Sequence, residues 1–128
     1  MKSFYEEIHQ IKTQTSSKPI LIPAKLDGHS VQMELDTGAA RSLISKETWK
    51  LIGKPELKAA AFGLRTYTGQ LISMLGQAAV TVEIDGSKKR LLVVVVDGDG
   101  PSLLGRDWLQ EIRLNWSLHY QNQGKWMH

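Results

Sequence analysis

The sequence predicts a small all-β fold, a closed barrel or sandwich with one or two short helices. Several short segments alternate apolar and polar residues, which is the period of a half-buried strand. Asp-Gly pairs stand at 27–28 and 85–86, and this dipeptide is typical of tight hairpin turns. The chain has 128 residues, 41% of them hydrophobic and none of them cysteine, which suits one domain with a core and no disulfides. Together these observations favour a single β domain.

The first half is predicted to contain a hairpin, a short strand and a helix. Residues 1–17 carry weak signals and are interpreted as an N-terminal extension or linker. Apolar residues alternate on both sides of the first Asp-Gly turn, at Ile20, Ile22, Ala24, Leu26, Val31, Met33 and Leu35. Pro23 cannot donate a hydrogen bond within a sheet and is therefore expected at an edge. After a short strand at 42–44, Ser45 is a typical N-cap and Gly53 a typical stop for a helix over 46–52.

The second half is predicted to contain two hairpins, a loop, a helix and a last strand. The expected elements are a glycine-bearing hairpin over 64–72, a strand over 79–84, a fully buried strand over 91–96, a loop over 97–101, an apolar segment at 103–105 and a helix over 107–112. The Lys88-Lys89-Arg90 run is interpreted as solvated cations beside the second turn. Residues 113–118 alternate and are predicted as a last strand, which ends the domain of residues 18–118. Residues 119–128 are predicted as a loose tail.

Composition and motifs exclude several classes of function. The net charge is +3, but the cations are scattered and do not form a stripe, so no nucleic-acid partner is expected. The longest apolar run is too short to cross a bilayer, and the first ten residues lack the apolar centre of a signal peptide. We therefore expect a cytoplasmic protein with no membrane partner. The four histidines lack metal-ligand spacing and no phosphate- or dinucleotide-binding loop is present, so no metal and no cofactor are expected.

One acidic residue is the strongest candidate for catalysis. Asp36 ends an apolar strand and is followed by Thr37, Gly38 and the small apolar residues Ala39 and Ala40. A surface turn would explain an Asp-Thr-Gly sequence alone, but a surface turn is usually more polar on both sides. A carboxylate among apolar residues is typical of a group kept for its chemistry.

Two further motifs follow Asp-Thr-Gly in order. A glycine-bearing hairpin contains Thr66-Tyr67-Thr68-Gly69-Gln70, and the later segment Pro101-Ser102-Leu103-Leu104-Gly105-Arg106-Asp107-Trp108 runs through a glycine into a helix. In their order and spacing, the three motifs resemble the retropepsins, the retroviral-type aspartic proteases. They are most similar to the proteases of gypsy-type LTR retrotransposons, and the resemblance covers residues 18–118.

The resemblance implies a catalytic site shared by two chains. Aspartic proteolysis uses two carboxylates that share one proton across a water molecule. The chain has one Asp-Thr-Gly and is too short for a two-lobed enzyme, so the resemblance implies a homodimer in which Asp36 faces its symmetry mate. Thr37 would hydrogen-bond across the dimer, and Gly38 would let the substrate backbone approach closely. Residues 113–118 take the place of the terminal strands that pair across the dimer axis in retropepsins.

The resemblance also implies a cleft for an extended peptide. Ala39 and Ala40 would form its floor, and apolar pockets would be lined by Pro101 and Leu103. A flap would close over the peptide with residues Arg65, Thr66, Tyr67, Thr68 and Gly69. Gly105 and Arg106 would be structural residues near the site.

Ala40 departs from the retroviral pattern. Retroviral enzymes usually have an acidic residue at this place, and it pairs with the arginine of the Gly-Arg segment. Arg106 must therefore find another partner or face solvent. This departure favours a retrotransposon-type enzyme.

The function that we expect is an aspartic endopeptidase, active as a homodimer, that cleaves a Gag-Pol-like polyprotein in the cytoplasm or within virus-like particles. Two alternatives stay open. One is a domesticated cellular protease with a host substrate. The other is a non-catalytic module that kept the fold for dimerisation or peptide binding.

Overall fold

The described part of the chain is a six-stranded closed barrel with three short helices. The computed structural model describes residues 18–60 and 73–123, so the predicted extension over 1–17, the flap over 64–72 and the last five residues lie outside the described part. The strands follow the order β1-β2-β6-β3-β5-β4 around the barrel. Their bounds are β1 Leu21–Leu26, β2 His29–Leu35, β3 Leu43–Ser45, β4 Met74–Ile84, β5 Ser87–Val96 and β6 Ser102–Leu104. The helices are α1 Lys46–Leu51, α2 Arg106–Leu109 and α3 Trp116–Gln123. The predicted all-β barrel is confirmed.

Two hairpins turn at the predicted Asp-Gly pairs. Asp27 and Gly28 have φ angles of 49° and 83°, and the second pair at 85–86 has 51° and 83°. Positive φ at both central residues is the geometry that matches the twist of paired strands. Pro23 pairs with Gln32 of β2, and β1 meets β4 only further along, at its last two residues. Among the described strands, Pro23 therefore pairs with β2 alone, so it lies at a local edge as predicted.

The apolar side chains that alternate along the strands face inward and form the barrel core. Inward-facing side chains are fully buried, as the cluster Ile22, Leu26, Met33, Ile44, Val80, Val82, Val93, Val95 and Leu104 shows. Trp108 of α2 packs against this cluster and donates its indole N–H to the Leu92 carbonyl at 2.8 Å. Helix α2 is thereby fixed against the barrel.

The strand β5 is longer than predicted and is buried only at its end. Its last four residues, 93–96, are buried on both faces, as the apolar run indicated. Leu92, however, is 53% exposed, so the prediction of a fully buried strand over 91–96 is wrong at this position. The cations at 88–90 are exposed as predicted, but they lie within β5, because its ladder with β4 continues to the turn.

The strand β4 begins five residues before the predicted start. Its alternation is interrupted near Gly76, where the register with β5 shifts. Gly76 has φ +142°, and a Cβ there would lie 2.6 Å from the Lys58 carbonyl oxygen. A bulge of this kind breaks the period of two in the sequence, which hid the start of the strand.

The two predicted internal helices are present, and the second is shorter than expected. The Ser45 hydroxyl accepts a hydrogen bond from the Thr48 N–H at 3.1 Å, so the predicted N-cap of α1 is confirmed. Gly53 follows α1 with φ +100°, as a stop residue does. Helix α2 ends at Leu109 because the Trp108 carbonyl accepts from two successive N–H groups, at 111 and 112, which tightens the last turn.

The prediction of a last strand over 113–118 is wrong. Helix α3 occupies Trp116–Gln123 and crosses the predicted boundary at residue 118. Residues 119–123 of the predicted loose tail are therefore helical. Asn115 caps this helix: its Oδ1 accepts from the Leu118 N–H at 3.0 Å. Its backbone carbonyl accepts from the His119 N–H at 3.1 Å. The cap outweighs the strand-like alternation of the apolar residues.

Helix α3 is held to the barrel by the turn between β4 and β5. Asp85 Oδ2 accepts from the Asn115 N–H at 2.7 Å and lies 2.6 Å from His119 Nε2. His119 is buried, and Leu114 before the helix packs into the barrel core. Residues 114–119 are therefore docked on the barrel of their own chain. None of the helices in the described residues is long and apolar enough to cross a membrane.

Candidate active site

The Asp-Thr-Gly sequence lies in the loop between β2 and β3. Strand β6 runs between these two strands and parallel to β2, so the loop crosses the C-terminal end of β6. Leu35, the last residue of β2, pairs with Leu104, the last residue of β6. The Asp36 N–H continues this ladder by donating to the Leu104 carbonyl at 3.0 Å. The position of Asp36 is thus set by the ends of two core strands.

The Asp36 side chain is buried and oriented by its own loop. The residue is 5% exposed, and Oδ1 accepts from the Gly38 N–H at 3.0 Å. Oδ2 is also shielded from solvent. The Asp36 carbonyl accepts from the Ala39 N–H at 3.1 Å, which closes the turn. Burial of a carboxyl group is costly, so a loop that holds one in a fixed orientation is a candidate for catalysis.

The other residues of the loop divide between surface and interior. Thr37 and Gly38 are exposed beside the Asp36 carboxyl group. Ala39 is fully buried and Ala40 half-buried. The structure therefore brings together the predicted catalytic residues and the predicted floor. The two exposed residues are the ones accessible to a partner or a substrate.

Gly105 allows the second motif to pack directly against this loop. A Cβ at Gly105 would lie 2.6 Å from the Arg41 carbonyl oxygen and 2.9 Å from that of Ala39. Both distances are shorter than any normal contact, so the close approach of two backbones requires a glycine. The next two N–H groups, of Arg106 and Asp107, donate to the carbonyls of residues 39 and 40 at 2.8 and 3.2 Å. The beginning of α2 is therefore hydrogen-bonded to the loop that carries Asp-Thr-Gly.

Arg106 finds its partners in the loop backbone. Its Nη1 donates to the Thr37 carbonyl at 3.1 Å and approaches the Gly38 carbonyl at 3.4 Å. The side chain is exposed, but it is also bonded to the protein. Carbonyl oxygens accept well from a guanidinium, which explains how the loop keeps this arginine although residue 40 is alanine.

A hydrogen-bonded polar pair, buried Ser42 and half-buried Asp107, was not predicted from the sequence. The Ser42 hydroxyl donates to Asp107 Oδ1 at 2.8 Å and accepts from the Gly105 N–H at 2.9 Å. One signal was available: Ser42 stands directly before the buried strand β3, where a polar side chain needs a partner.

The predicted pocket residues lie next to a second apolar cluster. Leu103 is fully buried with Leu43, Val94 and Val96, and Met74 packs against them. Pro101 is half-buried at the start of β6. The alternate residues of the same strands face the barrel core, so these strands are apolar on both sides. The predicted flap residues Arg65, Thr66, Tyr67, Thr68 and Gly69 lie outside the described part of the chain.

The described ranges contain no group of three or more histidine, aspartate or glutamate side chains that could hold a metal ion.

A family comparison identifies the domain. The model of a family described as "gag-polyprotein putative aspartyl protease" matches residues 22–111, well over half of the chain. The chain belongs to this family. Its protease domain is of the retropepsin type, as the three motifs predicted.

Solved structures agree on the fold of the protease domain. The protease of EIAV, solved in complex with the inhibitor HBY-793, superposes with a TM-score of 0.67 at 21% identity, over 77% of this chain and 92% of that one. The retroviral protease-like domain of Ddi1 from Leishmania major superposes with a TM-score of 0.57 at 18% identity, over 73% and 72% of the two chains. At these identities the likeness establishes the fold.

One sequence relative is a much longer protein than this chain. "Uncharacterized protein K02A2.6" of Caenorhabditis elegans is 28% identical over 99 residues, which is 77% of this chain. The matched stretch is 8% of the length of that protein. The chain therefore spans only a small part of this relative.

Proposed function

We propose that the protein is an aspartic endopeptidase that works as a homodimer, with one Asp36 from each chain. The observation that carries the proposal is the Asp36 carboxyl group, 5% exposed and oriented by the Gly38 N–H at 3.0 Å. Asp36 begins the Asp-Thr-Gly sequence of this chain and lies within residues 22–111, which match a family described as aspartyl proteases. A carboxyl group that is both buried and precisely held has the properties of a catalytic acid or base.

The homodimer follows from the number of carboxyl groups that the reaction needs. Residues 22–111, which match the family, contain Asp-Thr-Gly once. Water activation in an aspartic protease requires a second carboxyl group beside the first. Thr37 and Gly38 are exposed next to Asp36, so a second copy could approach along a two-fold axis and bring its own Asp36. In this dimer, Thr37 would bond across the axis.

The proposed reaction is hydrolysis of a peptide bond. One ionised Asp36 takes a proton from the bound water as the water oxygen bonds to the carbonyl carbon. The protonated Asp36 of the partner gives its proton to the carbonyl oxygen. One hydroxyl of the resulting gem-diol then gives its proton to the ionised carboxylate of the partner, the C–N bond breaks, the nitrogen takes the proton held by the first Asp36, and an acid and an amine leave. The pair ends with one shared proton, as it began.

The proposed substrate is an extended peptide segment of a Gag-Pol-like polyprotein. The family description, which refers to the gag polyprotein, supports this class of substrate. Gly38 would allow the peptide backbone to lie close to the loop, above the floor that Ala39 and Ala40 form. Pro101 and Leu103 would give apolar character to the pockets. The flap at residues 65–69 would pair with the peptide from the other side.

The test is cleavage of a capsid–nucleocapsid precursor by the wild-type protein and by Asp36→Asn. We expect the wild type to cut the precursor at a few sites and pepstatin to inhibit it. Asp36→Asn should lose at least about 1,000-fold, because an amide pair cannot share the required proton. Circular dichroism and sedimentation should show that the variant is folded and dimeric. A folded wild type that cuts neither this precursor nor a mixture of unfolded proteins would indicate the non-catalytic binding module.

A further inference from the structure

Two polar side chains, Ser42, which is buried, and Asp107, which is half-buried, connect the two motifs of the site. Ser42 is fully buried, and its backbone carbonyl accepts from the Val94 N–H at 3.0 Å, so the residue is fixed against β5. Its hydroxyl donates to Asp107 Oδ1 at 2.8 Å and accepts from the Gly105 N–H at 2.9 Å. One hydroxyl therefore joins the end of the Asp-Thr-Gly loop to both sides of Arg106.

The direction of the two Ser42 hydrogen bonds follows from which of the partner groups can donate and which can accept. An ionised carboxylate only accepts, so the Ser42 proton must point to Asp107. The lone pairs of the hydroxyl oxygen then face the Gly105 N–H. Asp107 Oδ1 also accepts from the Trp108 N–H at 2.8 Å, which holds the carboxylate at the beginning of α2. Both partners of Ser42 are thus held in place.

The segment that Ser42 fixes contacts the catalytic loop in several places. Directly before Gly105, the Leu104 carbonyl accepts from the Asp36 N–H. Directly after it, Arg106 bonds to the carbonyls of residues 37, 38 and 39 through its side chain and its N–H. A displacement of Gly105 would therefore move the groups that hold Asp36 and Gly38.

We propose that Ser42 and Asp107 are positioning residues for the catalytic Asp36. They act through residues 104–106 and do not touch the substrate. This inference rests on the proposed function, since it assigns the residues that keep the proposed catalytic carboxyl group in its productive orientation. Small displacements matter in such a site: a misplacement of about 1 Å can cost on the order of 100-fold in rate.

The chain offers a matched control in Ser45. Like Ser42 it is buried and close to β3, and its hydroxyl also accepts a backbone N–H, that of Thr48 in α1. Its bonds therefore support α1, which lies outside the catalytic loop. Ser45→Ala and Ser42→Ala each delete the hydroxyl oxygen of a buried serine, one that supports α1 and one that supports residues 105–107.

The experiment compares kcat, KM and thermal stability for four variants. All are assayed at concentrations where sedimentation shows the dimer. Ser42→Ala should lower kcat about 10- to 100-fold with KM changed less than about threefold. Ser45→Ala should lower the melting temperature by a similar amount and leave kcat within about twofold. Two conservative variants should each retain most of the wild-type activity: Ser42→Thr, which keeps the hydroxyl, and Asp107→Asn, which keeps an acceptor oxygen.

A second measurement reports on the loop without catalysis. Hydrogen–deuterium exchange at the N–H groups of residues 36–40 should become faster in Ser42→Ala and remain unchanged in Ser45→Ala. If Ser42→Ala loses no more kcat than Ser45→Ala, or if exchange in the loop is unchanged, the pair only stabilises the fold and the inference is wrong. If the folded wild-type dimer cleaves nothing, the proposed function fails. The exchange comparison would then still decide whether Ser42 holds the Asp36 loop.

Discussion

Arg106 and Thr37 are 69 residues apart in the sequence, and the Arg106 guanidinium donates to the Thr37 carbonyl at 3.1 Å. The same nitrogen approaches the Gly38 carbonyl at 3.4 Å. The first motif is therefore bonded to the second by a side chain that reaches over the loop. Because the acceptors are backbone oxygens, this bond does not depend on the side chain at residue 40, and Ala40 is compatible with it.

Replacing this arginine should weaken the site more than the fold. Arg106→Ala is expected to lower kcat/KM about 10-fold, because the carbonyls of Thr37 and Gly38 lose their donor. The free energy of unfolding should fall by about 1 kcal/mol, less than the value of about 1.5–3 kcal/mol for hydrogen bonds to a charged group, since Arg106 is exposed. Cleavage kinetics and urea unfolding measure the two effects.

The control is Arg90→Ala, since Arg90 is also exposed but lies on β5. This variant should retain wild-type kinetics. Equal losses of kcat/KM in the two variants would mean that the Arg106 effect is one of overall charge and not of the loop.

Gly105 should be intolerant of even the smallest side chain. A Cβ there would lie 2.6 Å from the Arg41 carbonyl oxygen, so Gly105→Ala must push the second motif away from the loop. We expect a loss of about 1–3 kcal/mol in the free energy of unfolding, which is typical of overpacking, together with loss of cleavage. Gly98→Ala is the matched control, because a Cβ at Gly98 would have no neighbour within 4 Å. Thermal melts of both variants give the comparison, and equal stability would contradict the packing of these two backbones.

Local signals in the sequence were sufficient for much of the fold. The two Asp-Gly turns, the Ser45 cap and the strict alternation of β1 and β2 each act within a few residues, so the pattern determines the structure directly. Asp36 could be recognised in the same way, since a carboxyl group at the end of an apolar strand is unusual.

The features that the sequence did not reveal depend on contacts between distant segments. The bonds of Ser42 to Gly105 and Asp107 span more than 60 residues. Helix α3 combines a local and a distant contact: the Asn115 side chain caps the helix, and the Asn115 N–H is held by Asp85, 30 residues earlier in the turn between β4 and β5. The strand-like alternation of residues 113–118 carries no information about the contact with Asp85. Tertiary contacts of this kind override a local preference for a strand.

The rate of cleavage should depend on pH in a way that reports on a carboxyl pair. The active form of the proposed pair holds one proton, so kcat/KM should be highest at mildly acidic pH and fall on both sides. Each limb belongs to the pair as a whole and not to one Asp36. Rates measured between about pH 4 and pH 9, with a thermal melt at each pH to exclude unfolding, test this. A flat profile over that range would be incompatible with the shared-proton mechanism.

Removal of the chain after Ile112 should destabilise the barrel and leave the proposed dimer assembled. The segment that follows α2 is docked within its own chain: Leu114 is 5% exposed in the core, and His119, 3% exposed, lies against Asp85. Loss of one buried leucine and of the bonds to Asp85 should cost about 2–4 kcal/mol in the free energy of unfolding. Sedimentation should detect dimers of the full chain and of the chain that ends at Ile112, at concentrations where both are folded. His119→Ala should show a smaller loss of stability in the same direction. If the shortened chain melted like the full chain but dissociated into monomers, its last segment would belong to the dimer interface, and the docking on Asp85 would not be its main role.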